Sequence, residues 1–536
     1  MIIKDEIVKQ KLLQGIELVA STVAPTLGPQ AKTVILQGNP PVIINDGVTI
    51  TKYISHEDPY VQMGIQLVQN LASKAQENAG DGTTTACVIA EKLCRNIFLG
   101  LEKGEVNLHE LRIQLESVRN QVLNDLDEMS NEVTDEEIVN CATIAANNDA
   151  EMGALIAEVL SKVGRDGVIT VEEGHQLIST YEVKEGLEID EGYFSHLMAN
   201  SPAGICELQS PLVLCSNKVI THFNDILPVL ELVSSKGKPF LLFCKDIQGP
   251  ALSNMIMNIA EGRIQGCVVK APNFGDAQLD ELGDIVSLLG GKLFSDENNE
   301  DISTALFEDL GQCEKVIVTN ATTTLIGGAK DKQVEDKISS LKERYEELDS
   351  NYDKLRVKKR ISRLQGGVAV IKVGAGSSIE MRENKERLDD ALNATKAALE
   401  EGVVLGGGMA LANIGKQLLA WGEVPLYARD TGNETDSAKM AMFAERIVGS
   451  ALLAPLSNLL KNGGNSADLD TPKLLSEYIS NIASMEGYNA VQGTWSNLMT
   501  DGVIDPVKVT KSSFSVAMSI AMLFLTTDVA VLLPEA

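Results

Sequence analysis

Aromatic side chains are scarce in this 536-residue chain: 9 Tyr, 11 Phe and 2 Trp, 4% in all. So few rings give poor support to base-stacking platforms or aromatic-rich interfaces, and any recognition surface is expected to be aliphatic. Basic charge is thin as well, with 46 Lys and Arg against 75 Asp and Glu and a formal charge of −29. That balance repels phosphate backbones and excludes nucleic acid as a general partner. The five histidines, at 56, 109, 175, 196 and 222, fall at no metal-ligand spacing, so no zinc site is expected. The eight cysteines form no C-x-x-C pair and lie mostly in apolar runs such as Phe240-Leu-Leu-Phe-Cys244. They read as small buried hydrophobes in a reducing compartment. The one membrane-like stretch, Phe514 to Leu533, carries Ser515, Ser519, Thr526, Thr527 and Asp528. A mid-span carboxylate is expensive in lipid, so a buried helix running into a strand is expected there, and no membrane partner. The opening Met-Ile-Ile-Lys-Asp-Glu has neither a basic n-region nor an apolar h-region, and a cytoplasmic location follows as an expectation.

What is present is ordinary globular material, 44% hydrophobic and 23% charged. Its length exceeds what one core sustains and implies about three domains. Residues 8 to 127 carry helical periodicity: Ile65, Val68, Leu71, Ala72 and Ala75 fall at i, i+3, i+4 spacing, and Val88, Ile89, Leu93 and Ile97 repeat it. From about 165 to 330 short apolar strands (168 to 171, 240 to 244, 267 to 270, 316 to 318) alternate with helices and glycine turns, the texture of an α/β module. Ile338, Leu341, Tyr345, Leu348, Tyr352 and Leu355 make a 3-4-3-4-3 stripe, too short for a coiled coil and expected to pack along its own domain. After a strand at 368 to 373 a long helix is expected over 385 to 401, and helical texture then resumes to the C-terminus.

The most informative motif is Gly80-Asp-Gly-Thr-Thr-Thr85, set between two amphipathic helices. Its glycines permit close backbone approach, and its threonines open a helix whose free N–H groups favour anions. Asp81 has the wrong sign for phosphate and the right one for a hard cation, so a magnesium nucleotide is the natural ligand. Two further glycine turns, Thr26-Leu-Gly-Pro29 and Gly406-Gly-Gly408, do not fit the P-loop spacing. Asp46, in Asn45-Asp-Gly47, and Asp390, in Arg387-Leu-Asp-Asp-Ala391, are acids of the kind that could orient or deprotonate water. Each is equally readable as a turn residue or a solvated helix face.

Taken together and in order, these stretches resemble the group I (bacterial-type, GroEL-like) chaperonins. The resemblance also rests on Gly167-Val-Ile-Thr-Val-Glu172, Leu227-Pro-Val-Leu230, Lys270-Ala-Pro272, Phe274-Gly-Asp276, Gly366-Gly-Val-Ala-Val-Ile-Lys-Val-Gly374, Glu400-Glu-Gly-Val-Val404, Gly487-Tyr-Asn-Ala490 and Asp505-Pro506. It implies a multidomain fold: a mainly α equatorial ATP-binding domain (1–127 with 401–536), a small α/β intermediate hinge domain (128–184 with 369–400) and an α/β apical client-binding domain (185–368). It further implies an ATP hydrolase using ATP and Mg²⁺, with K⁺ as a further candidate cofactor. Thr26, Leu27, Gly28 and Pro29 would line the nucleotide, Asp81 would hold Mg²⁺, and Gly82, Thr83, Thr84 and Thr85 would contact phosphates. Gly407, Asn489 and Asp505 would touch base and ribose. Asp390 and Asp46 would position the attacking water, Asp390 arriving as a hinge closes.

The implied partners are non-native polypeptides, gripped by Tyr193, Leu227, Leu230, Leu252, Ile256 and Met257, together with copies of the same chain in heptameric rings and a co-chaperonin lid. Without the resemblance, Leu252, Met255, Ile256 and Ile259 would read as a buried helical stripe, with Met257 alone outside it. Several positions depart from the family pattern. Gln30-Ala31 replaces Lys-Gly, Asn45 replaces a lysine, Ala145 replaces a serine and Glu191 stands where a cation is usual. The segment 454–466 lacks the Arg and Glu that help join two rings. Weaker ATP affinity, altered cooperativity and a single ring are the corresponding expectations. The competing reading is a specialised ring-forming scaffold with little or no ATP turnover.

Overall fold

A computed structural model describes residues 2–532 apart from 5, 38–41, 45, 103–105, 166, 175, 185, 202–203, 296, 298–299, 329–330, 349, 421–435, 465–474, 476–478 and 480–484. Asn45 and His175 therefore lie outside the described residues. The chain forms two compact units, one of residues 1–157 with 378–536 and the other of residues 158–377.

The first unit is α-rich. Its centre is four helices, Glu6–Val23, Pro59–Ala79, Thr83–Leu101 and Val507–Thr526, each packed on at least two of the others. The i, i+3, i+4 stripes read from the sequence are the buried faces: Ile65, Val68 and Leu71 meet Ile89, Leu93, Phe514 and Phe524 in one core. Removing such side chains from water is the dominant favourable term in holding the bundle. The membrane-like stretch is indeed a core helix followed by strand Val529–Val531, which pairs antiparallel with Ile2–Lys4. One face of it packs on protein, with Phe514, Ala517, Ala521 and Phe524 fully buried, while Leu523, Val529 and Val531 are exposed. A second antiparallel pair, Val403–Leu405 with Ile504–Pro506, sets Asp505 opposite Val404.

The second unit is α/β. Strands Leu293–Phe294, Leu212–Ser216, Phe240–Cys244 and Gly266–Lys270 run parallel in that spatial order, with Phe240–Cys244 buried on both faces as a near-continuous apolar strand requires. An antiparallel sheet of Gly186–Ile189, Thr323–Ile326, Lys315–Val318 and Cys206–Gln209 packs into the same core. A third sheet joins Val368–Val373 to Val168–Glu173 and Thr180–Lys184. All eight cysteines are free and buried, as their apolar settings indicated.

Two local expectations change. The 338–355 stripe crosses two helices, Asp331–Glu347 and Asn351–Gly366, because the Ser350 hydroxyl accepts from the Asp353 N–H and starts a new helix. The helix expected over 385 to 401 begins a full two turns earlier and spans Ser378–Glu401, its charged run 380–385 being helical surface.

Helix Asn351–Gly366 is held to helix Asp276–Leu289 by a buried ion pair. Arg360 Nε and Nη2 donate to the two Asp284 carboxylate oxygens at 2.6 and 2.7 Å, and Nη2 also reaches the Asp280 carbonyl at 3.1 Å. The side chains are 4% and 5% exposed. Losing Arg360 leaves the buried Asp284 carboxylate with Lys337 alone, at 3.7 Å, whereas replacing both leaves an apolar contact. Arg360→Leu should therefore destabilise this unit by about 3–5 kcal/mol, and the Arg360→Leu/Asp284→Leu double variant should recover most of the loss. Amide hydrogen exchange across 276–289 and 351–366 reads both.

Candidate functional site

Helix Pro59–Ala79 ends at Gly80, whose left-handed conformation (φ 71°) lets its N–H bond the Gln76 carbonyl. Two residues later Gly82, also left-handed (φ 87°), begins helix Thr83–Leu101 with no side-chain cap. Asp81 sits between them, its Oδ1 accepting from the Gly82 N–H at 2.5 Å, while the Gly82 carbonyl accepts from Ser513 Oγ at 2.9 Å. The uncapped helix start leaves N–H groups open, and the Thr83 hydroxyl is buried with no hydrogen-bond partner.

This turn forms the floor of a cleft of about 290 Å³ contained in the first unit. Thr26, Leu27, Gly28 and Pro29 line one side, after the short 3-10 turn Ala24–Thr26; Asn462 Nδ2 donates to the Ala24 and Leu27 carbonyls at 3.0 and 2.9 Å and fixes the loop. Gln30 Nε2 donates to the Ala490 carbonyl at 2.8 Å and ties this loop to the 489–491 turn. Asp46 caps helix Gly47–Tyr53, accepting from the Val48 and Thr49 N–H groups at 3.3 and 2.6 Å, and faces the cleft. Thr84, Thr85, Gly407, Asn489, Asp505 and Asp390 also line it.

All fourteen residues expected at a nucleotide and hydrolytic site thus border one cavity, although they come from seven separate stretches of chain. Asp390 already stands there, on helix Ser378–Glu401 of the same unit. Asn489 lines the cleft with its side chain committed to the turn: Oδ1 accepts from the Val491 and Gln492 N–H groups, and Nδ2 donates to Asp501 at 2.9 Å.

Sequence reading missed Gln76, Glu383, Glu386, Arg387, Asn147 and Asn148, which line the same cleft. The three on the long helix lie 7, 4 and 3 residues before Asp390, the spacing of one helical face, so the signal was present. Asn147 and Asn148 adopt consecutive left-handed conformations (φ 56° and 64°) at the end of helix Asp135–Ala145, which asparagine tolerates best among residues with a Cβ.

Among the described lining residues six carboxylates (Asp46, Asp81, Glu383, Glu386, Asp390, Asp505) face one guanidinium, that of Arg387. Burial raises the Asp81 carboxyl above its ordinary value, and the nearby Asp46 adds to the shift. Asp390 is raised well above its usual range by burial, then by Asp81 and Asp46, with a hydrogen bond from Gln76 opposing. Asp505 is pushed up to about 6 by burial and Asp81, against the pull of the Gly407 and Gly408 N–H groups. Like charges brought this close call for a cation between them. The donor set fits magnesium carried in with a phosphate: oxygen ligands, an orphaned hydroxyl and an open helix start. Among the described residues no three His, Cys, Asp or Glu side chains gather as a metal cage, so a divalent ion here would draw its remaining ligands from phosphate and water.

The residues expected to grip non-native chains all belong to the second unit. Leu227 opens helix Leu227–Lys236 at the surface, and Met257 on helix Gly249–Ala260 is 56% exposed. Leu252, Ile256 and Ile259 are half-buried on that same helix, so of the expected buried stripe Met255 alone is fully buried, with Ala251 beside it. Tyr193 is half-buried with its hydroxyl donating to the Gly204 carbonyl at 3.0 Å. Leu230 lies at 4% exposure in the core, so in this conformation it supports its helix instead of offering surface.

A model of the TCP-1/cpn60 chaperonin family matches residues 19–533. Among solved structures, the chain is similar to the chaperonin gp146 of the bacteriophage EL 2 (Pseudomonas aeruginosa), crystallised in the presence of ATP-BeFx. Crystal form II superposes with a TM-score of 0.72 at 18% identity, covering 100% of both chains. Crystal form I gives 0.65 at 18% identity, covering 100% of this chain and 99% of the other.

The electrostatics of the cleft carry a measurable pH signature. Because the folded-state pKa of Asp505 is raised to about 6, its stabilising contribution is present below about pH 4 and is lost as the pH rises through 6. Asp505→Asn should therefore stabilise nucleotide-free protein at about pH 8, by about 1–3 kcal/mol, and give no gain near pH 4. Thermal melting at the two pH values measures the difference.

Proposed function

The chain belongs to the TCP-1/cpn60 chaperonin family, and we propose that its cleft binds and hydrolyses magnesium ATP to drive the capture and release of non-native polypeptides. The observation that carries this reading is the convergence of seven chain segments on one cavity that joins an open helix start to a cluster of raised carboxylates. The ATP-BeFx present with the phage chaperonin, whose fold the chain shares, supports the same ligand.

In this reading the N–H groups and threonines at the start of helix Thr83–Leu101 hold the phosphates, the glycine turn at 407 and the 489–491 turn hold base and ribose, and Asp81 holds the magnesium. Magnesium would supply electrostatic stabilisation of the phosphoryl oxygens. Asp390 takes or orients a proton of the attacking water, with Gln76 steadying its carboxyl and Asp46 facing it from a helix cap. Neutralisation of Asp81 removes one charge that raises Asp390, so nucleotide arrival and base competence are linked.

The organisation that accompanies this chemistry is an equatorial domain of 1–127 with 401–536, an intermediate domain of 128–184 with 369–400 and an apical domain of 185–368, assembled as cytoplasmic heptameric rings. The apical client face is the aliphatic strip of Leu227, Leu252, Ile256 and Met257, where burial is non-directional and methionine adapts its shape. A scaffold without turnover is the weaker reading, since Asp390 already stands beside Asp46 and Asp81 in the cleft.

Two outcomes follow. Asp390→Ala should keep magnesium ATP affinity within a few-fold while lowering kcat by about 10²-fold or more, read by nucleotide titration and steady-state phosphate release; an unchanged kcat removes Asp390 from this role. Replacing Leu227 and Met257 together by Ser should lower the capture of a chemically unfolded protein about tenfold, in line with the roughly 1–2 kcal/mol that partial burial of two such side chains against a client supplies, read by suppression of aggregation.

A further inference from the structure

We propose that Arg387 is the cleft's contact for the terminal phosphate of ATP, and that it sets the preference for the triphosphate over the diphosphate. The proposal rests on the nucleotide reading above and adds a residue to it.

Four observations converge on this side chain. Arg387 is the one cation among the described residues that line the cavity, facing six carboxylates. It lies three residues before Asp390 on helix Ser378–Glu401, so the two project from one face toward the same space. Its Nη2 is parked on Glu383 at 2.7 Å, an i, i+4 pair in which the carboxylate is 50% exposed. Its Nε is buried and has no hydrogen-bond partner.

The last two facts sit badly together if the guanidinium is only part of a surface pair. An exposed i, i+4 pair is worth about 0.3–0.5 kcal/mol, whereas a buried donor left unmet costs about 1–3 kcal/mol. A phosphate oxygen arriving at Nε while a second meets Nη2 would satisfy both donors of the fork at once, the geometry for which a guanidinium is suited and an ammonium is not. Glu383 can then be released to solvent at little expense. The charge requirement points the same way: a triphosphate with one magnesium still carries net negative charge into a cavity of carboxylates. Gln30 stands beside the cleft as a neutral amide committed to the Ala490 carbonyl. Besides the start of helix Thr83–Leu101, Arg387 is the positive group among the described residues that line the cleft. Because it lies one helical turn from Asp390 on the same face, its contact is with the phosphate that hydrolysis removes, and ADP would not reach it.

The test compares wild type with Arg387→Gln, Arg387→Lys and Glu383→Gln, each checked for unaltered melting and assembly size. Dissociation constants for ATP and for ADP are measured in the presence of magnesium, together with kcat. Arg387→Gln should weaken ATP about tenfold or more and ADP less than twofold, with kcat also reduced. Arg387→Lys should recover part of the ATP loss, since it restores charge without the fork. Glu383→Gln, which frees the guanidinium, should tighten ATP at least twofold and leave ADP unchanged. Equal effects of Arg387→Gln on ATP and ADP, or no effect on either, overturn the proposal while leaving the nucleotide site standing. Failure of the wild-type chain to bind either nucleotide overturns both readings.

Discussion

The cleft depends on one close approach, that of the Gly80-Asp81-Gly82 backbone to two helices distant in sequence, Ser378–Glu401 and Val507–Thr526. A Cβ at Gly80 would stand 2.3 Å from the Asn393 Cβ, and one at Gly82 would stand 2.3 Å from Ser513 Oγ. Small apolar residues, Ala79, Ala397 and Val509, fill the junction. Only because nothing protrudes from this turn can Asp81 face Asp390 and Asp505 across a cavity, with the start of helix Thr83–Leu101 opening into it. The approach creates the electrostatic problem as well as the site, since it buries several acids together, with Asp46 raising the Asp81 carboxyl and Asp81 raising those of Asp390 and Asp505. A cation with an anionic ligand resolves that problem, which is the physical rationale for the proposed magnesium–nucleotide site.

Much of the fold was legible from periodicity. Ile65, Val68, Leu71, Ile89 and Leu93 mark a buried face by spacing alone. Phe240–Cys244 announced a doubly covered strand by its unbroken apolar run, and its bounds came out as read. The two misread helices differ in cause: at one a local start signal was outweighed by a regular pattern, at the other the apolar periodicity was missing. Ser350 interrupts a 3-4-3-4-3 stripe with a cap, and the charged run 380–385 disguises two helical turns as a loop.

The site was legible in pieces and not as a whole. No spacing rule connects Thr26 to Asp505, and the ordered resemblance to a family supplied the link that local chemistry could not. Conversely, the resemblance directed attention to Asp390 and away from Arg387, although both lie on one helical face. Leu230 shows the opposite limit: a position matched to a client-binding role is packed in the core, because on an amphipathic helix the same apolar residue serves either face until its neighbours are known.

The central claim, that the clustered carboxylates accept ATP only together with a divalent cation, is tested most directly by calorimetric titration of ATP into the full-length protein with magnesium and again with a chelator. The account predicts binding in magnesium and an affinity lower by at least about tenfold without it. Equal affinity in the two conditions would contradict it.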